Sequence, residues 1–78
     1  MAEDRAGDVH ERYYAYLLDR VRADRYPSTT MLSMIEQGGN EEERAELVDI
    51  LLEKTEADRF PSIPMLQRIQ RVAEQLPG

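Results

Sequence analysis

The chain has no cysteine and no tryptophan, one phenylalanine and one histidine, His10. Without cysteine there are no disulfides, thiol nucleophiles, zinc knuckles or iron–sulfur ligands. A lone histidine beside the flexible carboxylates Asp8 and Glu11 makes a poor metal site, and turn chemistry accounts for both acids. Glycine is also scarce outside Gly38-Gly39, so no phosphate-cradling loop and no dinucleotide fingerprint exists. The ligand ladder of an EF-hand is missing, as is the G-x-S-x-G elbow of a serine hydrolase. Ser28, Ser33 and Ser62 have no base nearby in sequence. The expectation is a non-enzyme that needs no cofactor and no metal.

No apolar run approaches the roughly 20 residues of a membrane span. The segment Met1–Gly7 is charged and has no apolar stretch of the kind a secretion signal carries. These features predict a cytoplasmic protein, with residues 1–7 flexible.

Basic charge is the other shortage. Sixteen acids face ten bases, a net charge of −6. That balance argues against a phosphate-backbone binder, which draws its affinity from clustered lysine and arginine. It permits a basic protein partner and also favours solubility.

What the chain does have is a repeat. Residues 16–37 placed over 50–71 match without a gap at ten of twenty-two positions: Leu17/Leu51, Leu18/Leu52, Ala23/Ala57, Asp24/Asp58, Arg25/Arg59, Pro27/Pro61, Ser28/Ser62, Met31/Met65, Leu32/Leu66 and Ile35/Ile69. Tyr26/Phe60, Asp19/Glu53 and Arg20/Lys54 keep their character. The copies lie 34 residues apart, the signature of an internal duplication. Tetratricopeptide repeats share that period, but their Trp/Gly/Tyr pattern and small crossing residues are missing here, and the second helix is too short.

Each copy reads as a long helix, a turn and a shorter helix. Asp8, followed by Glu11, has the spacing of a capping box for the first helix, and Asn40, followed by Glu41, Glu42 and Glu43, starts the third. The turns Asp24-Arg25-Tyr26-Pro27 and Asp58-Arg59-Phe60-Pro61 end the long helices at about Ala23 and Ala57, since a residue before proline is pushed out of the α region. In each turn the aromatic ring is expected to plug the base of the hairpin. Ser28 and Ser62 cap the short helices. Pro64 falls in a first turn, where its missing N–H is harmless. Gly38-Gly39 closes helix 2 with an expected positive φ, and Pro77-Gly78 stops helix 4.

Helical projection spreads Val9, Tyr13, Tyr14, Tyr16, Leu17, Leu18 and Val21 over about 200° of the first helix. Leu47, Val48, Ile50, Leu51 and Leu52 do the same on the third. The fold expected is all-α, one domain over residues 1–78. Two tandem hairpins, about 8–37 and 40–76, form a small four-helix arrangement with pseudo-two-fold symmetry. Surplus apolar surface favours a homodimer.

Three surface features are candidates for function. Glu42, Glu46, Asp49, Glu53 and Glu56 fall within about 80° of arc on helix 3, an acidic stripe suited to a basic helix or tail. The first copy carries Arg12, Ala15 and Arg22 where the second has Glu46, Asp49 and Glu56. Met34, whose counterpart is Arg68, adds an adaptable apolar contact. Helix 4 carries Gln67, Arg68, Gln70 and Arg71, side chains able to read base edges. The reading is a non-catalytic protein–protein interaction module. The alternatives are a small DNA-binding regulator using helix 4, or an acidic decoy occupying a nucleic-acid-binding protein.

Overall fold

A computed structural model describes residues 5–58 and 62–77, with side chains from Gly7 onward. It contains four helices, α1 (Arg5–Ala23), α2 (Thr29–Gly38), α3 (Glu41–Ala57) and α4 (Ile63–Glu74), and no strand among the described residues. None of these helices is long and apolar enough to cross a membrane.

Local chemistry sets most of the boundaries. Ser28 and Ser62 each accept the backbone N–H three residues on, from Met31 and Met65. Asn40 and Glu43 form a reciprocal capping box at 2.8 Å in each direction, satisfying two donors that a helix start leaves open. Pro64 sits in the first turn of α4.

Two local expectations fail. Helix α1 begins at Arg5 rather than at Asp8. Residues 5–7 are compatible with helix, so Asp8 lies inside the first turn, where its charge still suits the helix dipole. The C-cap Gly39 has a φ of −77°, not the positive value expected. Both glycines are needed for close approach instead. A Cβ on Gly38 would collide with the Tyr14 hydroxyl, and one on Gly39 would meet the Ile35 carbonyl oxygen at 2.7 Å. Gly39→Ala should therefore cost about 1–3 kcal/mol in urea denaturation, because backbone must move. Gly38→Ala should cost less in a Tyr14→Phe background than in the wild type, since the colliding hydroxyl is gone.

The apolar residues Leu17, Leu18, Val21, Leu32, Ile35, Leu47, Val48, Ile50, Leu51, Ile69 and Val72 form one buried cluster. Tyr14, Met31, Met65 and Leu76 pack against it. Helix α3 touches all three other helices, which explains why its apolar residues surround so much of its circumference. Helix α4 packs chiefly on α3. The molecule measures 48 × 28 × 18 Å, its thinnest dimension roughly two helix diameters.

Burial excludes the expected pseudo-two-fold. A two-fold would bury residues 34 apart equally. Leu18 is 4% exposed and Leu52 41%, whereas Tyr16 is 58% exposed and Ile50 1%. Leu32 and Leu47 are buried while their counterparts Leu66 and Tyr13 are exposed. Only the set Leu17/Leu51 and Ile35/Ile69 is buried in both copies. The two halves thus meet through different faces, one face from each.

The turn after α1 also departs from expectation. Tyr26 is largely exposed and does not plug the hairpin base. Its ring lies beneath the Arg25 guanidinium, 5.6 Å from the centroid. Its counterpart Phe60 lies outside the described residues, with Arg59 and Pro61.

Candidate interaction surfaces

The acidic stripe of α3 is divided by its neighbours. Glu46 and Glu53 turn toward α1, where Arg22 lies 3.6 and 3.9 Å from their carboxylates. Asp49 and Glu56 are exposed on the opposite flank. Glu42 and Glu46 instead join Glu11 and Asp19 of α1 around a groove of about 220 Å³ that also includes Ala15 and Leu18. Glu43 belongs to the same wall. Its Oε1 serves twice, accepting from the Asn40 backbone and lying 2.9 Å from His10 Nε2.

His10 is therefore part of a junction. Its ring stacks on Tyr14 at 4.4 Å, and Tyr13 meets Tyr14 edge-on at 5.2 Å. The groove runs between this junction and Arg22, with carboxylates along both walls. Sequence reasoning gave Glu11 to a cap and missed Asp19, because pairing across two helices leaves no trace in the periodicity of either.

Met34 is exposed. Helix α4 presents a different picture. Arg68 donates to Glu36 and, at 3.4 Å, to Ser33 Oγ, and its side chain is only 16% exposed. Arg71 donates to the other oxygen of Glu36 at 2.9 Å. Gln70 donates to Glu74 at 3.4 Å, and Gln67 is exposed. Both arginines proposed to read bases are turned onto α2. Glu36 was not singled out in the sequence; a signal was there, since Arg68 replaces Met34 and a new cation inside a repeat calls for a new anion.

Beneath the first turn is a cleft of about 230 Å³ lined by Arg25, Tyr26, Leu51, Lys54 and Met65, among others. Lys54 Nζ donates to the backbone oxygens of Arg22 and Asp24 at 2.9 and 2.7 Å, satisfying carbonyls at the end of α1. Among the described residues no three His, Cys, Asp or Glu side chains are grouped to hold a metal ion.

Among the described residues the exposed large apolar side chains are Val9, Tyr13, Tyr16, Tyr26, Met34, Leu52, Ile63 and Leu66. Apart from Tyr26 they lie on the four helices, and none of them lines the groove. Comparison with protein families, curated proteins and solved structures finds no match to this chain.

Proposed function

We propose that the chain is a non-catalytic protein–protein interaction module of two tandem hairpins, whose α1–α3 groove receives a basic helix or tail. The observation that carries this reading is the convergence of Glu11, Asp19, Glu42, Glu43 and Glu46 on one groove with Ala15 and Leu18. Charge complementarity at such a site steers encounter and fixes register more than it adds raw affinity. The cationic end of a partner helix would meet the carboxylates while its apolar stem covers Ala15. A cytoplasmic setting agrees with a chain free of cysteine.

The test is capture from nuclease-treated lysate by three baits. The groove variant carries Glu42→Lys and Glu46→Lys, and the flank variant carries Asp49→Lys and Glu56→Lys. A protein bound by wild type and the flank variant, and lost by the groove variant, supports the reading. Equal capture by all three refutes it. A captured nucleic-acid-binding protein that is released by its own nucleic acid identifies the module as an acidic decoy. Salt-sensitive retention on duplex DNA, lost with Arg68→Ala and Arg71→Ala, would establish the regulator instead.

A further inference from the structure

We infer that the chain carries two complementary end faces through which copies of itself assemble head to tail. This rests on the tandem-hairpin reading above, and on the burial pattern that the two-fold failed to explain.

Within the chain, the first hairpin is joined to the second through residues that are buried in one copy only. Leu18, Leu32 and Val21 are buried in the first; Leu47 and Ile50 are buried in the second. Polar contacts follow the same division. Glu43 reaches back to His10, Glu46 to Arg22, and Arg68 to Ser33 and Glu36. Positions 43, 46, 47, 50 and 68 thus face the preceding hairpin.

Shifted by 34 residues, these positions become Val9, Arg12, Tyr13, Tyr16 and Met34, and no hairpin precedes them in the described structure. Shifted the other way, Leu18 and Leu32 become Leu52 and Leu66, with no hairpin following in the described structure. Among the described residues, six of the eight exposed large apolar side chains occupy these vacant positions, and Ile63 lies one turn from Leu66. Among the described residues Tyr26 alone lies elsewhere. Scattered surface hydrophobes need no explanation, but a set confined to two repeat-equivalent faces does. Tyrosine suits the exposed face of a reversible contact, since its ring is apolar and its hydroxyl stays hydrated when the face is free.

Charge supports a second copy as the occupant. The internal pair Arg22–Glu46 has the counterparts Glu56 and Arg12. Both signs have inverted together, so Glu56 of one copy would meet Arg12 of the next. Lys54, which donates to the carbonyls of Arg22 and Asp24, corresponds to Arg20, which would donate to those of Glu56 and Asp58. Other positions do not follow: Glu53, at the edge of Arg22, corresponds to Asp19, which stays acidic, and the pairs His10–Glu43 and Glu36–Arg68 become Arg44–Val9 and Gln70–Met34, which hold no ion pair. The contact is heterologous, so it closes into a ring or extends as a chain of copies.

Sedimentation equilibrium of the full chain from about 1 μM to about 1 mM covers the range expected for such a contact. Tyr16→Glu blocks the head and Leu52→Glu the tail; both positions are exposed, and circular dichroism checks each fold. Wild type should gain mass with concentration, while each variant alone stays monomeric. Their equimolar mixture should form one-to-one dimers and stop there. Arg12→Glu should weaken assembly roughly five- to tenfold, and adding Glu56→Arg in the same chain should restore it. A wild type monomeric throughout, or either blocked variant assembling like wild type, overturns the inference. Glu42→Lys with Glu46→Lys should leave assembly intact, so failure of groove binding and failure of assembly are read separately.

Discussion

Leu51→Ala should lower the stability of this protein by about 2–5 kcal/mol, and Leu52→Ala by less than about 1 kcal/mol. The two residues are adjacent and identical in type, and each matches a leucine in the other copy. Their difference lies in packing. Leu51 is fully buried in the helix that touches every other helix, so its loss opens a cavity at the centre of the cluster. Leu52 projects from the outer flank of α3 and leaves only solvent behind it. A domain of this length holds roughly 4–12 kcal/mol in total, so Leu51→Ala removes a large fraction. Urea titration at low protein concentration, followed by circular dichroism, reads both. Similar midpoints for the two variants would refute the assignment of α3 as the centre of the fold.

Glu36→Ala should cost about 2–3 kcal/mol and lower Tm by roughly 10–20 °C. The Glu36 carboxylate is 9% exposed and holds Arg68 through one oxygen and Arg71 through the other. Removing it strands the largely buried Arg68 guanidinium, whereas Arg71 is open to water. Arg71→Ala should accordingly change stability by no more than about 1 kcal/mol. Replacing both partners, Glu36→Leu with Arg68→Met, should recover most of the loss, because a buried ion pair is often matched by apolar groups of similar volume. Differential scanning calorimetry of the four chains decides the point. A double variant as unstable as Glu36→Ala would mean that the pair is held by more than its own desolvation.

The parts of this fold legible in the sequence are those with short-range causes. Asn40 with Glu43, Ser28, Ser62 and Pro64 each act within three or four residues, and each does what its spacing predicts. Leu17 and Leu51 are recognisable as core because both copies kept them and both bury them. The errors come from competition or distance. Asp8 had capping chemistry, but nothing in Arg5–Gly7 stops a helix, so the end moved outward. The two-fold failed because identical residues in two copies do not imply identical neighbours. The links His10–Glu43 and Glu36–Arg68 span 33 and 32 residues, and no period within one helix encodes them. For the acidic stripe, the sequence placed five carboxylates on one arc; only the position of α1 divides Glu46 and Glu53 from Asp49 and Glu56.

The position of Lys54 gives the molecule a built-in chemical reporter. It is the only lysine of the chain, and its ammonium group is engaged by two carbonyl oxygens at the end of α1. An amine in that state is protected from acylation until the end of α1 lifts away from α3. The rate at which a mild acylating reagent modifies Lys54, relative to a free lysine in a model peptide, therefore measures how often that junction opens. Because acylation removes the charge and leaves a single N–H, each labelled molecule would also lose most of the restraint that had shielded it.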